Sequence, residues 1–365
     1  MKKILIVDDS ALMRRVLSDI ISSDEELHND QYAINGLEAL EMLEAGEKFD
    51  VIILDINMPK MNGIEFLRTL NRKRMNEKVI IVSTIAKEGA KETIEALELG
   101  AFDFVTKPDS LAEAKGSKFR NRLINLIRSA CGMPLAAGSS DSKEAKAGTS
   151  TVKIMTQKSD RANHSVKALG TGCSKLIALA CSTGGPKALQ HVIPFLPANL
   201  DAAVLLVQHM PEGFTASLSK RLDELSRIQV KEAADGDILQ KGTVYIAKGG
   251  SQMRLHENGK KIYSISENVE AARNGLKPCA DILYESLVNT SFDEITCVIM
   301  TGMGADGTQG ILQLEKTNKI YVIAQDAESS TVYGMPKSIA EAGAVDEVVT
   351  LKEIADAITK HVGVR

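Results

Sequence analysis

Short apolar runs alternate with amphipathic helical patterns in the first third of the chain. The stretch Met13–Ile21, between the first two runs, has apolar residues at the spacing of a helix with one buried face. This alternation is typical of an α/β fold, specifically a doubly wound, flavodoxin-like sheet of parallel strands. We therefore predict a first domain over residues 1–128. Its predicted strands are Ile4–Val7, Val51–Leu54, Val79–Val82 and Phe102–Val105.

A polar stretch interrupts this alternation between residues 129 and 171. Apolar periodicity disappears there, and glycine, serine and charged residues dominate. A stretch of this length without secondary structure is unusual inside a compact domain, whereas it is ordinary between two domains. We therefore predict a flexible linker over 129–171, in which His164 is solvated.

The alternation resumes in residues 172–365 and predicts a second α/β domain whose sheet is mainly parallel. Four apolar runs predict its buried strands, at Leu176–Ala180, Ala203–Val207, Ile295–Met300 and Ile320–Ala324. Three further runs predict antiparallel hairpin strands, at Thr243–Ala247, Met253–His256 and Lys261–Ser264.

Length, composition and charge narrow the class of protein. A chain of 365 residues is too long for one ordinary core, and its 44% hydrophobic and 25% charged residues are typical of a globular protein. The net charge of −4 gives no reason to expect a nucleic acid partner. The first apolar run is too short for a signal peptide or a membrane span, and none of the five cysteines forms a Cys-x-x-Cys pair. We expect a cytoplasmic monomer without membrane insertion.

Polar residues with complementary chemistry follow the predicted strands of the first domain. Asp8 and Asp9 follow the first strand, and Asp55 ends the second predicted one. Because the carboxyl ends of parallel strands meet at one edge of a sheet, we expect these carboxylates to lie together. Such a cluster suits Mg²⁺, which prefers oxygen ligands and works with phosphates. The alternative is that Asp8 and Asp9 are N-caps of the next helix. The remaining strand ends supply hydroxyls and a positive charge for a phosphoryl group, from Ser83, Thr84 and Lys107.

This set of strand ends resembles the response-regulator receiver domain. The motifs are Asp8-Asp9, Asp55 with Asn57-Met58-Pro59, Ser83-Thr84 and Lys107-Pro108. The resemblance implies that Asp55 accepts a phosphoryl group. It implies a Mg²⁺ site formed by Asp8, Asp9, Asp55 and the carbonyl of Asn57. It also implies a switch hydroxyl at Ser83 or Thr84, a role for Lys107 beside it, and a cis Lys107–Pro108 bond. We favour Ser83, the first residue past the apolar run.

In the second domain, Ser182 lies where an apolar strand passes into a glycine-rich turn and a helix. Pro186 is suited to the first turn of that helix, where its missing N–H costs nothing. Backbone N–H groups at such a terminus favour a developing negative charge, which suits a nucleophilic serine. Two alternatives are an N-cap and a phosphate-binding turn.

His209 and Asp306 follow two other predicted strands of the same sheet. At a strand end beside Ser182, a near-neutral imidazole can take the serine proton and return it to a leaving group. Asp306 can orient that imidazole and stabilise its charge. The chain order is Ser, His, Asp, and the Gly-x-Ser-x-Gly motif of nucleophile-elbow hydrolases does not occur. We therefore predict a serine triad.

A second interpretation concerns the same segment. Residues 302–307 match Gly-x-Gly-x-x-Gly after a strand, and Asp326 follows at the spacing of a ribose-binding acid. This pattern predicts a dinucleotide-binding oxidoreductase. Against it, Asp306 would place a carboxylate beside a pyrophosphate, and Ser182 and His209 would have no role.

Four motifs of the second domain resemble the CheB family of chemotaxis methylesterases. They are residues 180–186, 208–215 and 301–307, and Tyr333-Gly334-Met335-Pro336. The resemblance implies a triad of Ser182, His209 and Asp306, with the backbone N–H of Met303 as a candidate donor in the oxyanion hole. Leu276 and Cys279 depart from the family pattern after Asn274-Gly275, which places substrate fit in question.

The same resemblance implies a function. It is a phosphorylation-activated serine hydrolase that demethylates glutamate methyl esters, and deamidates certain glutamines, on the cytoplasmic helices of chemoreceptors. The implied partners are methyl-accepting chemoreceptors and the histidine kinase of the chemotaxis system as phosphodonor. Mg²⁺ is then needed only in the receiver domain, and we expect no metal at the hydrolase site.

Overall fold

The computed structural model describes residues 1–84, 87–108, 110, 113, 116–135, 172–258 and 261–365. Most of the predicted linker, including His164, lies outside the described residues. The domain limits predicted from the sequence stay predictions. The described residues form two parts of the chain, one on either side of that segment.

The first part is a five-stranded parallel sheet with helices on both faces. The strand order is β2-β1-β3-β4-β5, which confirms the doubly wound fold. The last helix, α5 (Ser117–Ala130), continues two residues beyond the predicted end of the domain. In chain order the elements are β1 (Lys2–Val7), α1 (Ala11–Ile21), β2 (Leu27–Ala33), α2 (Gly36–Glu44), β3 (Val51–Asp55), α3 (Gly63–Lys73), β4 (Val79–Ser83), α4 (Lys87–Glu98), β5 (Asp103–Thr106) and α5 (Ser117–Ala130).

The second part contains a seven-stranded parallel sheet with the order β14-β13-β12-β6-β7-β9-β8. Strands β6, β7 and β12 lie at its centre and are almost wholly buried. The elements are β6 (Lys175–Cys181), α6 (Gly185–Leu189), β7 (Ala203–Gln208), α7 (Phe214–Leu225), β8 (Gln229–Glu232), β9 (Thr243–Ile246), β10 (Gln252–Glu257), β11 (Tyr263–Asn268), α8 (Ala280–Ser286), β12 (Glu294–Ile299), α9 (Thr308–Leu314), β13 (Ile320–Gln325), α10 (Met335–Glu341), β14 (Glu347–Val349) and α11 (Ile354–Val362).

The prediction for the hairpin region is partly wrong. Strands β10 and β11 form the expected antiparallel pair, from Gln252 opposite Asn268 to Glu257 opposite Tyr263. Strand β9 belongs instead to the large sheet, where it pairs in parallel with both β7 and β8. All four residues of β9 are buried, as expected for a strand covered on both faces.

The two parts pack against each other through helices α4 and α7. The rings of Phe104 and Phe214 lie 4.6 Å apart between centroids, and both are buried. At the edge of this contact, the Glu98 carboxylate accepts hydrogen bonds from Arg221 Nε at 2.6 Å and from Gln190 Nε2 at 3.1 Å. An apolar contact with a charged rim therefore joins the two units.

Within the described part of the chain, no helix has both the length and the apolar character that crossing a membrane requires.

Candidate active site and phosphorylation site

Ser182 is the first residue after β6, and its backbone is held by neighbouring strands. Its N–H donates to the Thr301 carbonyl at 3.0 Å. A Cβ on Gly302 would lie 2.9 Å from the Cβ of Ser182, so glycine allows this close approach. The N-cap of α6 is Gly184, with φ 76° and no side-chain cap. The N-cap interpretation of Ser182 is therefore wrong.

Ser182 and His209 lie side by side on adjacent strands. Cys181 pairs with Gln208 at the end of the β6–β7 ladder, and the N–H of His209 donates to the Cys181 carbonyl at 3.1 Å. Ser182 follows Cys181 and His209 follows Gln208, so the two residues lie next to each other. Neighbouring strands in such a sheet are about 4.8 Å apart. His209 is buried, while Ser182 is partly exposed.

Asp306 lies between β12 and α9 and accepts four hydrogen bonds. His209 Nε2 contacts its Oδ2 at 2.7 Å, and the N–H of Ala280 donates to the same oxygen at 2.6 Å. Oδ1 accepts from the N–H of Asp281 at 3.0 Å and from the Sγ of Cys279 at 3.1 Å. The structure thus brings the three predicted triad residues to one edge of the sheet.

The charge state of Asp306 follows from these contacts. Burial acts to raise the pKa of its carboxyl, but His209 and the backbone N–H groups of Asp281 and Ala280 outweigh it and hold the pKa well below its ordinary value. Because an ionised carboxylate only accepts, His209 Nε2–H donates to it. The other ring nitrogen, Nδ1, is then the one available to take a proton.

Two residues beside Asp306 were not predicted to belong to the site. Cys279 departs from the family pattern, yet its thiol touches the triad carboxylate rather than a substrate surface. Burial raises the pKa of Cys279, as does the charge of Asp306, so the thiol remains protonated and can donate. Asp281 accepts from the N–H groups of Gly307 and Gly310 on α9. Leu276 contributes its carbonyl, which accepts from Gln252 Nε2 at 3.1 Å.

Met303 follows Gly302 and is half-buried. Its side chain packs against the apolar cluster of the first part that includes Val105 and Leu123. This contact places a residue of the first part's core beside the loop that carries Asp306. The role of the Met303 N–H in an oxyanion hole stays a prediction.

The dinucleotide interpretation is not supported. Asp306, inside the Gly-x-Gly-x-x-Gly turn, is engaged with His209. The Asp326 carboxylate accepts from the N–H of Ser329 at 3.1 Å within its own loop. Neither carboxylate is therefore arranged for a ribose or a pyrophosphate.

A second polar cluster lies at the carboxyl edge of the first sheet. Oxygen atoms of Asp8, Asp9 and Asp55 all lie within 4.8 Å of one another. Lys107 Nζ lies 2.7 Å from Asp55 Oδ2 and 3.2 Å from Asp8 Oδ2. The N-cap of α1 is Ser10, so the N-cap interpretation of Asp8 and Asp9 is wrong.

Burial and the charges of neighbouring groups shift the pKa values of Asp55 and Lys107 in this cluster. Burial raises the pKa of Asp55, and the charge of Asp8 adds to it, although Lys107 and the N–H of Asn57 act in the opposite direction. Burial acts to lower the pKa of Lys107, but Asp55 and Asp8 outweigh it and raise the pKa. Three close carboxylates with one lysine leave excess negative charge, and this donor set fits Mg²⁺.

The two candidate switch hydroxyls differ in their surroundings. Ser83 is buried, and its Oγ accepts from Thr93 Oγ1 on α4 at 2.6 Å. Thr84 is exposed. Among the described residues, the cis peptide bond joins Lys277 and Pro278, so the expected cis bond between Lys107 and Pro108 is wrong.

Comparison with known proteins agrees with this arrangement. Residues 4–115 match the response regulator receiver domain family, and residues 177–358 match the CheB methylesterase family. A Pyrococcus abyssi protein named protein-glutamate methylesterase/protein-glutamine glutaminase is 40% identical over 361 residues, which span 99% of this chain and 93% of that protein. A Bacillus subtilis protein of the same name is 40% identical over 363 residues, 99% of each chain.

A solved structure extends the similarity to the fold. The Thermotoga maritima CheB methylesterase catalytic domain matches with a TM-score of 0.50 and 37% sequence identity, covering 53% of this chain and all of that one. Sequence similarity over nearly the full length of two relatives accompanies this match. The chain belongs to the CheB methylesterase family, with a response-regulator receiver domain in its first part.

Proposed function

We propose that this chain is a protein-glutamate methylesterase and protein-glutamine glutaminase that acts on chemoreceptors in chemotaxis adaptation. The observation that carries the proposal is the hydrogen bond between His209 Nε2 and Asp306 Oδ2, beside Ser182. The names of the full-length relatives support the same activity. The substrates are glutamate methyl esters and certain glutamines on the cytoplasmic helices of methyl-accepting chemoreceptors.

The first half of the reaction forms a glutamyl-enzyme. Ser182 Oγ attacks the γ-carbonyl carbon of the side chain while His209 Nδ1 takes the hydroxyl proton. The resulting imidazolium is stabilised by the Asp306 carboxylate. As the tetrahedral intermediate collapses, the bond to the methoxy oxygen breaks and His209 returns the proton, releasing methanol. An amide substrate releases ammonia in the same step.

The second half regenerates the enzyme. Water attacks the glutamyl ester carbon, and His209 takes a proton from that water. The bond to Ser182 Oγ then breaks, the proton returns to the serine, and a glutamate carboxylic acid leaves. The N–H of Met303 is a candidate donor to the oxyanion in both halves. The hydrolase chemistry is complete with protein groups and water.

Phosphorylation at Asp55 is proposed to regulate this activity. Asp8, Asp9, Asp55 and the carbonyl of Asn57 would hold Mg²⁺, which neutralises charge on a transferring phosphoryl group. Lys107 contacts Asp55 and Asp8 and is placed to pair with the same oxygens. Ser83 or Thr84 would donate a hydroxyl hydrogen bond to the phosphoryl group. The phosphodonor is the histidine kinase of the chemotaxis system.

The contacts between the two parts support an inhibitory lid. Asp103 of β5 is buried and hydrogen-bonds the side chain of Thr183, next to Ser182. Met303, in the loop that carries Asp306, also packs against the receiver. A receiver in this place excludes a bulky receptor helix from Ser182. Because both units belong to one chain, their effective concentration is high and a modest interface keeps them together.

Methanol release from methylated receptor membranes tests the proposal. We expect release by the wild-type chain, an increase when a small phosphodonor and Mg²⁺ are added, and none by Ser182→Ala. Wild-type turnover by a folded Ser182→Ala variant would show that the triad assignment is wrong. No release by the wild-type chain, with or without phosphodonor, would show that the proposed substrate is wrong.

A further inference from the structure

The side chain of Gln208 connects the backbones of two triad residues. Gln208 ends β7 and is 2% exposed. Its Nε2 donates to the Ser182 carbonyl at 3.0 Å and to the His209 carbonyl at 3.1 Å. The Sγ of Cys181 donates to its Oε1 at 3.0 Å. All polar atoms of this buried amide therefore have partners.

The chemistry of these partners fixes the orientation of the amide. Two carbonyl oxygens accept only, so the nitrogen must face them, and each takes one of its two hydrogens. The reversed orientation would place Oε1 against both carbonyls and leave the two buried N–H donors without carbonyl acceptors, which is unfavourable. The side chain has one favourable arrangement, and it includes both Ser182 and His209.

The Gln208 side chain joins the ends of β6 and β7 at a point where the two strands no longer share backbone hydrogen bonds. The backbone ladder ends with the N–H of His209 donating to the Cys181 carbonyl, and the N–H of Ser182 turns away toward Thr301 on the other side. Beyond this point no backbone hydrogen bond between the described residues joins Ser182 to His209. The Gln208 amide joins their carbonyls instead, where the nucleophile and the base must keep a fixed separation.

The backbone opposite leaves space for this amide. A Cβ on Gly185 would lie 2.0 Å from Gln208 Oε1 and 3.0 Å from Cys181 Sγ. Real Cβ atoms essentially never approach another heavy atom this closely, so a side chain at 185 would displace the Gln208 amide. The residue with a positive φ in this turn is Gly184, not Gly185. Glycine is therefore needed at position 185 because of the Gln208 side chain and not because of the backbone conformation.

We propose that Gln208 is a positioning residue that sets the spacing of Ser182 and His209 for proton transfer. This inference rests on the proposed hydrolase function, since it concerns the geometry of that triad. Gln208 touches neither substrate nor reacting atoms. Its loss should therefore slow the chemical step while substrate binding, which depends on the crevice outside the strand ends, stays the same.

Two variants of the full chain test this role. Gln208→Met keeps the approximate volume but removes both donors. Gly185→Ala keeps the amide but displaces it. We expect each to lower kcat per folded molecule on methylated receptor membranes at least tenfold, with KM within twofold of wild type. A residue that only supported the fold would lower the melting temperature and leave kcat of the folded molecules unchanged.

Gln325→Met is the matched control. Gln325 is also a fully buried amide at a strand end; it accepts from the N–H of Thr301 and donates to the Ser329 carbonyl. Among the described residues it forms no hydrogen bond with Ser182, His209 or Asp306. We expect a comparable loss of thermal stability with kcat within threefold of wild type. A kcat for Gln208→Met within threefold of wild type, or an equal loss in Gln325→Met, would overturn the proposal.

Two further arms separate this inference from the proposed function. If the wild-type chain releases methanol and Ser182→Ala does not, the hydrolase assignment stands, and an active Gln208→Met contradicts only the positioning role. If the wild-type chain releases no methanol, the proposed function fails first. The positioning role, which is defined for that reaction, then fails with it.

Discussion

Asp281 and Asp306 each cap the helix that begins beside the other. The Asp306 carboxylate accepts from the N–H groups of Ala280 and Asp281 at the start of α8. Oδ1 of Asp281 accepts from Gly307 at 3.0 Å and Gly310 at 2.7 Å at the start of α9. This exchange fixes the two helices to each other. The position of the triad carboxylate therefore depends on a second buried carboxylate.

We predict that the titration of Asp281 makes the stability of the folded chain depend on pH. Burial raises its pKa from 3.8 to about 6, and the charge of Asp306 adds to it. Between these values the folded chain holds a proton that the unfolded chain has released, so stability falls as pH rises. Asp281→Asn removes this titration and keeps an oxygen for both N–H groups. We expect its free energy of unfolding, relative to wild type, to rise by on the order of 1–2 kcal/mol from about pH 4 to 7, allowing for solvent screening.

Urea unfolding of both proteins at the two pH values measures this change. Asp356→Asn is a control, because Asp356 is an exposed residue on α11. A difference between Asp281→Asn and wild type that does not vary with pH would contradict the raised pKa.

Substitutions in the triad should differ in severity. We expect Ser182→Ala to lower the single-turnover rate of ester hydrolysis by on the order of 10⁵–10⁶, and His209→Ala by nearly as much. Asp306→Asn should cost less, on the order of 10⁴, because Asp306 orients the imidazole but forms no bond to substrate. Methanol release by folded variants, verified by thermal melting, measures this order. Equal losses for all three residues would be inconsistent with an orienting role.

Phosphorylation should depend on Asp55 and on Mg²⁺. We expect Asp55→Asn to abolish acid-labile labelling by a radiolabelled small phosphodonor. Asp8→Ala and Asp9→Ala should keep the acceptor but raise the Mg²⁺ concentration needed for half-maximal labelling, because each removes one oxygen ligand. Stoichiometric labelling of Asp55→Asn would place the phosphoryl group elsewhere.

The switch hydroxyl should be Ser83. Ser83 is buried, and its Oγ accepts a hydrogen bond from Thr93 on α4, the helix that contacts the second part. Thr84 is exposed. We expect Ser83→Ala to be phosphorylated normally but to lose most of the activation of methanol release. Thr84→Ala is the matched control and should retain activation. The reverse pattern would assign the switch to Thr84.

Weakening the contact between the two parts should activate the enzyme without phosphorylation. Glu98 pairs with Arg221 across the interface, and coupling of this kind is typically about 1–3 kcal/mol in total. We expect Glu98→Ala to raise methanol release by the unphosphorylated chain several-fold and to leave the phosphorylated rate unchanged. Glu95→Ala is the control, because Glu95, on the same helix, pairs with Arg68 inside the receiver. Unchanged basal release by Glu98→Ala would argue against an inhibitory lid.

The parallel strands that are continuous apolar runs were predicted from the sequence, whereas β2, β8 and β14 were not. Strand β2 was missed, since its interior residues are polar and only its end residues, Leu27 and Ala33, are buried. It is an edge strand and does not need an apolar run. Strand β9 was assigned to the wrong sheet because an apolar run of four residues does not reveal its partner.

The closeness of Ser182, His209 and Asp306 could be predicted because each follows one of these apolar strands, whereas the residues that support them could not be predicted. Gln208 precedes His209 directly, and nothing in its local sequence indicates that its amide turns toward Ser182. Cys279 and Asp281 reach Asp306 from a separate helix, 25 or more positions away along the chain. Such contacts depend on how loops cross at the sheet edge, which periodicity does not describe.

The close approach between Gly185 and the Gln208 side chain has an evolutionary consequence. Alanine at 185 is incompatible with the amide as it now lies, while a shorter residue at 208 would remove the side-chain donor that the Ser182 and His209 carbonyls share and leave a void beside Gly185. Either single substitution lowers fitness if both positions serve the same reaction. Positions 185 and 208 should therefore change together or not at all, and an alignment of active relatives should show them covarying more strongly than either does with its chain neighbours.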